Sequence, residues 1–126
     1  MFEKNPAYAG FFLLMTLVQL QQHVHALERQ YHRDSGSVTI LAASKLQSIE
    51  KIHALCTQGQ RAFGENYVQE ALPKIAALMT QAIEWHFIGQ VQRNKTKQIS
   101  PHFSWIHSID RCDIARRLHE HRPLHL

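Results

Sequence analysis

The sequence has few of the features that mark specialised classes of protein. Its two cysteines, Cys56 and Cys112, have no Cys-x-x-Cys spacing, which indicates free thiols in a reducing compartment, the cytoplasm. Both lie at apolar positions of helical segments, where we interpret them as packing residues. No apolar run is long enough to span a bilayer. The densest basic run, residues 92–97, has no neighbouring aromatic platform for nucleic-acid bases, so we expect neither a membrane nor a nucleic-acid partner.

What remains is the composition of one ordinary globular domain. Of the 126 residues, 44% are hydrophobic and 19% are charged, and the net charge is +4. A chain of this length can bury one core. Residues 1–14 end in an apolar run but have no signal-peptide cleavage site, so we interpret them as an apolar N-terminal extension, either non-native or a packed lead-in to the first helix. Met15 is then a candidate start, and residues 15–126 form the predicted domain.

Segments of helical and strand character alternate after Met15. A first helix is predicted from a stripe of apolar residues, namely Leu17, Leu20, Val24, Leu27 and Tyr31. Strands are predicted from the short apolar runs 38–43, 61–66, 83–89 and 103–110, each followed by a helical segment. One of these helices contains Pro73, which should kink it or mark its start. Four successive β/α units predict an α/β fold with a parallel sheet.

Lys45 follows the first predicted strand, at the point where the chain turns into a helix. The helix is predicted because Ile49, Ile52, Leu55 and Cys56 recur at helical spacing. In parallel α/β folds, ligands bind at the carboxyl ends of the strands. An amine held there and partly removed from water is suited to attack an aldehyde. On the local pattern alone, a solvated loop lysine is the simpler explanation, since lysine is mostly exposed.

Several longer segments resemble the pyridoxal-phosphate homeostasis protein family, whose members are similar to the barrel domain of alanine racemase. The matching segments occur in the family's order and cover roughly residues 15–126. They are Leu41–Lys45, Gly59–Ala71, Glu84–Gln90 with Gln92, Asn94 and Lys95, and Ile106–Asp110. The resemblance implies pyridoxal 5'-phosphate (PLP) as cofactor.

The resemblance also implies roles for individual residues. Lys45 matches the family's lysine that forms an internal aldimine with the cofactor aldehyde. Asn66, His86 and Ser108 close the next three predicted strands and match positions at the same barrel mouth, where they could line the cofactor ring. Without the family, a capping Asn, a hydrogen-bonded core His and a capping Ser are the simpler interpretations of these three residues.

The implied fold is a (β/α)8 barrel of the TIM type, which usually needs about 250 residues. This chain has room for a leading helix and about four β/α units. In the family, late strands and loops hold the cofactor phosphate, so the resemblance predicts a truncated barrel with weakened PLP binding. Open sheet edges would favour self-association or a partner that completes the barrel.

Two functions are compatible with the resemblance. The first is a carrier that holds PLP and takes part in cofactor homeostasis, without catalysis. The alternative is an amino-acid racemase, which needs acid and base groups on both faces of the aldimine. The racemase relative takes one of these groups from a further domain, so we favour the non-catalytic carrier.

Overall fold

Helices and strands alternate through residues 16–125, the part of the chain that this computed structural model describes. The chain forms two compact units, residues 1–40 and residues 41–126. The predicted extension, residues 1–14, lies outside the described residues.

In the part of the first unit that the structure describes, residues 16–40, the helix α1 (Leu17–Gln30) confirms the first predicted helix. Its start is a capping box, in which Thr16 and Gln19 each accept a hydrogen bond from the other's main-chain N–H. The predicted apolar stripe is wrong at its end, because Leu27 and Tyr31 are exposed. The one buried residue of α1 is instead a carboxylate, Glu28.

Glu28 organises the loop after α1. Its Oε2 accepts the Gly36 N–H at 2.9 Å, and its Oε1 accepts the Val38 N–H at 2.8 Å. Hydrogen bonds from His25, Gly36 and Val38 lower the pKa of Glu28 to about 2. Because the Val38 N–H is bonded to Glu28, it is not available to a strand ladder. The first strand therefore begins later than the predicted run 38–43.

The second unit is built on a sheet of four parallel strands in the order β1-β2-β3-β4. The strands are β1 (Ala42–Ala43), β2 (Ala62–Glu65), β3 (Glu84–Phe87) and β4 (Trp105–Ile106). Each is shorter than its predicted run. In the register, Gly64 is paired with Ala43 and His86, and His86 is paired with Trp105. The sheet confirms the predicted α/β class and the parallel arrangement of its strands.

Helices follow every strand, as predicted. They are α2 (Ile49–Thr57), α3 (Val68–Ala77), a 3-10 turn (Arg93–Lys95) that continues into α4 (Thr96–Ile99), and α5 (Cys112–Glu120). Pro73 lies inside α3 and does not mark its start. Cys56 is buried as expected, but Cys112, the first residue of α5, is exposed, so its predicted packing role is wrong.

The core lies on the face of the sheet that packs against the helices. Successive strand residues point to opposite faces, and register partners share a face. Phe63 of β2 and its partner Trp85 of β3 belong to the core, as does Phe87. The other face carries Gly64 and His86. The alternation of side chains along the strands therefore gives the sheet one face that packs in the core and one face that carries polar side chains such as His86.

Candidate functional site

Lys45 lies two residues beyond β1, at the carboxyl end of the sheet. The ladder continues to the preceding residue, because the Ser44 N–H donates to the Gly64 carbonyl at 2.9 Å. A tight turn follows, closed by a hydrogen bond from the Gln47 N–H to the Ser44 carbonyl at 3.0 Å. The strand-end position predicted for Lys45 is thus confirmed. The partial burial expected for its amine is not found, because Lys45 lies in an exposed turn.

Leu46, directly after Lys45, has an unusual main-chain conformation. Its φ is 60°, in the left-handed region that non-glycine residues rarely adopt. Its side chain is 83% exposed, so packing does not hold it there. The Leu46 N–H donates to Glu70 Oε1 at 2.5 Å. This hydrogen bond ties the strained residue to helix α3.

A buried ionic network lies on the helix side of the Lys45 turn. Lys74 Nζ, on α3, donates to the Ser44 carbonyl at 2.9 Å, to Glu65 Oε1 at 2.8 Å and to Glu70 Oε1 at 2.6 Å. The Ser44 hydroxyl donates to Glu65 Oε1 at 2.7 Å. All three protons of the ammonium therefore have an acceptor. We call these four residues, Ser44, Glu65, Glu70 and Lys74, the α3 network.

Electrostatics keep Lys74 and Glu70 of the α3 network ionised. Burial alone would lower the pKa of Lys74, but hydrogen bonds and charge from Glu65 and Glu70 outweigh burial and raise it. The hydrogen bond from Lys74 lowers the pKa of Glu70, with a smaller contribution from the Leu46 N–H. Lys74 is therefore an ammonium at neutral pH and has no lone pair for nucleophilic attack.

Asn66 and Ser108, two of the predicted site residues, both approach Gly89. Asn66 directly follows β2, and a Cβ atom at Gly89 would overlap its main-chain oxygen. The Ser108 hydroxyl donates to the Gly89 carbonyl. Asn66 Oδ1 is buried without a hydrogen-bond partner among residues 16–125. Asn66 after β2 and Ser108 after β4 therefore lie at the carboxyl end of the sheet, as the sequence predicted, on either side of Gly89, which follows β3.

The fourth predicted residue, His86, is buried within β3 and belongs to a cluster of side chains on the sheet face opposite the core. Its Nδ1 lies 2.8 Å from His107 Nε2, and its Nε2 lies 3.4 Å from Glu84 Oε1. The Trp105 ring stacks on the His86 ring, with centroids 6.1 Å apart, and its Nε1 donates to Glu84. We call these four residues, Glu84, His86, Trp105 and His107, the histidine cluster.

Burial is the main cause that lowers the pKa of His86, and the neighbouring His107 lowers it further. Glu84 acts in the opposite direction but does not outweigh burial. A neutral His86 can accept a hydrogen bond from the His107 Nε2–H at its Nδ1 and point its own Nε2–H toward Glu84. We assign this tautomer because it fits the contacts of His86 with both His107 and Glu84.

The structure thus brings the predicted residues to one end of the sheet, but not into one hydrogen-bonded group. Within residues 41–125, Lys45 makes no hydrogen bond to Asn66, His86 or Ser108. A cavity of about 210 Å³ lies at this end, and its lining includes Asn66, Gly89 and Lys95.

Sequence reasoning missed the remaining members of both groups. The alternation of Glu84 with His86, and of Trp105 with His107, was the available signal for the histidine cluster, because residues two apart share a strand face. For the α3 network, the signal was the spacing of four residues between Glu70 and Lys74 on a helix.

Two features are absent from residues 16–125: a metal-binding cluster and a helix that could span a membrane. This part of the chain contains no group of three or more His, Cys, Asp or Glu side chains that could hold a metal ion. No helix in it is long and apolar enough to cross a membrane.

Comparisons with curated proteins give matches over most of the chain, although no family model matches it. It is 46% identical over 109 residues to a pyridoxal phosphate homeostasis protein of Pasteurella multocida, covering 85% of this chain and 47% of that protein. A protein of the same name from Pseudomonas aeruginosa is 50% identical over 91 residues, covering 72% of this chain and 40% of that protein. The chain spans about half the length of the curated relatives it matches.

Solved structures give the same result. PipY of Synechococcus elongatus, whose structure has PLP bound, is similar with a TM-score of 0.65 and 39% identity, covering 75% of this chain and 45% of PipY. An unknown protein from Bifidobacterium adolescentis has a TM-score of 0.70 and 31% identity, covering 81% of this chain and 46% of that protein. The resemblance to pyridoxal phosphate homeostasis proteins is therefore confirmed, over about half the length of those relatives.

Proposed function

We propose that this chain binds pyridoxal 5'-phosphate through Lys45 and takes part in the homeostasis of that cofactor. The observation that carries the proposal is the position of Lys45 at the carboxyl end of β1, where parallel α/β folds bind ligands. Lys45 is exposed and has no acidic partner among residues 16–125, so an aldehyde can reach its amine. The PLP-bound structure of PipY supports the choice of ligand.

The proposed attachment is a Schiff base between the lysine and the aldehyde. The deprotonated Lys45 amine attacks the aldehyde carbon and forms a C–N bond. The carbonyl oxygen then leaves as water, taking two protons that were bound to nitrogen, so no oxidant or reductant is needed. Because hydrolysis reverses this step, the same bond suits a protein that stores PLP and releases it.

Three further residues are suited to line the bound ring. Asn66 Oδ1 is a buried acceptor without a partner, which fits a ligand that presents a hydrogen-bond donor. His86 is neutral at pH 7 and can pack or exchange a hydrogen bond without carrying charge. Ser108 keeps lone pairs on its hydroxyl for a further hydrogen bond while donating to Gly89.

The sheet supports a barrel architecture for the proposed PLP domain, residues 15–126. Four parallel strands in sequential order, each followed by a helix, are what one half of a (β/α)8 barrel contains. The histidine cluster lies on the face that would point into the barrel, and Trp105 is 57% exposed. We propose that further strands cover this face, supplied by a second copy or by a partner that completes the barrel.

A non-catalytic carrier fits better than a racemase. The relatives described above carry the homeostasis name, and none of them is named as a racemase. We also place the protein in the cytoplasm, where the free thiols of Cys56 and Cys112 would stay reduced.

Borohydride trapping tests the role of Lys45. The full chain is incubated with PLP and reduced, and the labelled lysines are located by mass spectrometry of peptides. We expect Lys45 to be labelled well before the exposed Lys51 and Lys97, and the early label to disappear in Lys45→Ala. Equal labelling of the three lysines, or an unchanged early label in Lys45→Ala, would refute the assignment.

A further inference from the structure

The main chain on both sides of Lys45 is hydrogen-bonded to the α3 network. The carbonyl before Lys45, that of Ser44, accepts from Lys74 Nζ at 2.9 Å. The N–H after Lys45, that of Leu46, donates to Glu70 Oε1 at 2.5 Å. These groups belong to the two peptide units that meet at the Lys45 Cα. The network therefore holds the Lys45 Cα in place through the peptide unit on either side of it.

The two hydrogen bonds are coupled, because their side-chain partners form an ion pair. Lys74 Nζ lies 2.6 Å from Glu70 Oε1, and the two residues are four apart on α3. Lys74 is anchored in turn by the fully buried Glu65. Helix α3 thus sets the position of a turn that belongs to a different β/α unit. Leu46 keeps its left-handed φ of 60° inside the turn that the Gln47 N–H closes on the Ser44 carbonyl, and the Glu70 carboxylate holds the Leu46 N–H of that turn.

The network also distinguishes two lysines that lie close together. Lys74 has three acceptors and is buried, so its amine is neither deprotonated nor accessible to an aldehyde. Lys45 is exposed and has no such partners within residues 41–125. The carboxylates that hold the turn therefore also keep Lys74 protonated and buried, so that it does not react with an aldehyde.

We propose that Glu70 and Lys74 are positioning residues that hold the Lys45 turn in the conformation from which its amine attacks an aldehyde ligand. This proposal rests on the proposed function of Lys45. A misplacement of about 1 Å in a reacting group can cost as much as a hundredfold in rate. Loss of one of the two main-chain anchors is expected to slow the reaction of Lys45 by about tenfold.

The test compares Glu70→Met with Glu70→Gln in the full chain, with PLP as the probe and borohydride as the trap. Methionine keeps the size of the side chain but removes the acceptor. Glutamine keeps an oxygen that can accept from Leu46. We expect labelling of Lys45, relative to Lys51 in the same sample, to fall about tenfold in Glu70→Met and to be largely restored in Glu70→Gln. Glu120→Ala, at an exposed position of α5, is the matched control and should label as wild type.

Wild-type hydrogen exchange provides a measurement that needs no variant. The Leu46 amide should exchange more slowly than an unprotected amide, and its exchange at the unprotected rate would refute the anchor even if Glu70→Met does not fold. Equal relative labelling in wild type and folded Glu70→Met would refute the positioning role. If wild-type Lys45 labels no faster than Lys51, the proposed function itself fails, which separates the two results.

Discussion

Removing Lys74 is the most informative test of how the second unit is stabilised. Its side chain is 8% exposed, and that of Glu65 is fully buried. In Lys74→Met, the Glu65 carboxylate would keep only the hydrogen bond from Ser44, and its Oε2 already has no partner among the described residues. Breaking a buried ion pair by removing one partner typically costs about 3–5 kcal/mol. The free energy of unfolding of Lys74→Met should fall by that amount.

The assay is thermal unfolding followed by circular dichroism. In a domain of this size, 1 kcal/mol corresponds to about 4–8 °C, so the melting temperature should fall by more than about 12 °C. Lys51→Met, at an exposed position of α2, is the control and should change the free energy of unfolding by less than about 0.5 kcal/mol. The double variant Glu65→Leu/Lys74→Met should recover most of the loss, because the fully buried carboxylate is removed and the remaining one, Glu70, is partly exposed. A loss below about 1 kcal/mol, or no recovery in the double variant, would refute the reasoning.

The pH dependence of stability provides a second check on the same network. The pKa of Lys74 is raised above its ordinary 10.5, so its contribution is fully present below pH 10.5 and is lost as the pH rises through the higher folded value. The pKa of Glu70 is lowered from 4.5, so its contribution is present above pH 4.5 and is lost as the pH falls through the lower folded value. The stability that Lys74→Met removes should therefore be greatest between these limits.

Three further predictions concern other parts of the chain. Glu28→Gln should lower the melting temperature at pH 7 and approach wild type near pH 2, because the carboxylate contributes above about pH 4.5 and loses its charge near pH 2. An equal difference at both pH values would contradict this. Gly89→Ala should destabilise by about 1–3 kcal/mol in thermal unfolding, since its methyl group meets the Asn66 main chain. Gly64→Ala, which meets only the movable end of Ile88, should cost less, and equal losses would refute the argument. Finally, absorbance titration should give weaker PLP binding, with less preference over pyridoxal, than in the full-length Pasteurella relative, and equal affinities would overturn that expectation.

The order of the elements could be predicted from the sequence because hydrophobic periodicity reports which positions face the core. Ile52 and Cys56 were placed correctly on the buried side of α2. The same reasoning put Lys45 after the first strand, where the structure has it. The resemblance supplied Asn66 and Ser108, which single-residue patterns could not distinguish from ordinary caps.

The buried charges could not be predicted in the same way. Glu28, Glu65 and Lys74 are residue types that normally lie at the surface, and each is buried only because a particular partner compensates it. Glu65 and Lys74 lie nine residues apart, in a strand and a helix, so their contact depends on how α3 packs on β2. The boundary of β1 was missed for a related reason, because the Val38 N–H is bonded to Glu28.

Lys45 and Lys74 lie in opposite surroundings, because Lys45 is exposed and Lys74 is buried with three acceptors. Burial alone favours a neutral amine, and it is the largest single influence on the pKa of Lys74. Two carboxylates reverse that effect, so Lys74 stays charged although it is buried. Lys45 has no carboxylate partner within the described residues, and in the role that we propose its reactivity comes from where its turn is held. The proposed reactivity of Lys45 therefore depends less on its own burial than on the ion pairs that fix its neighbours.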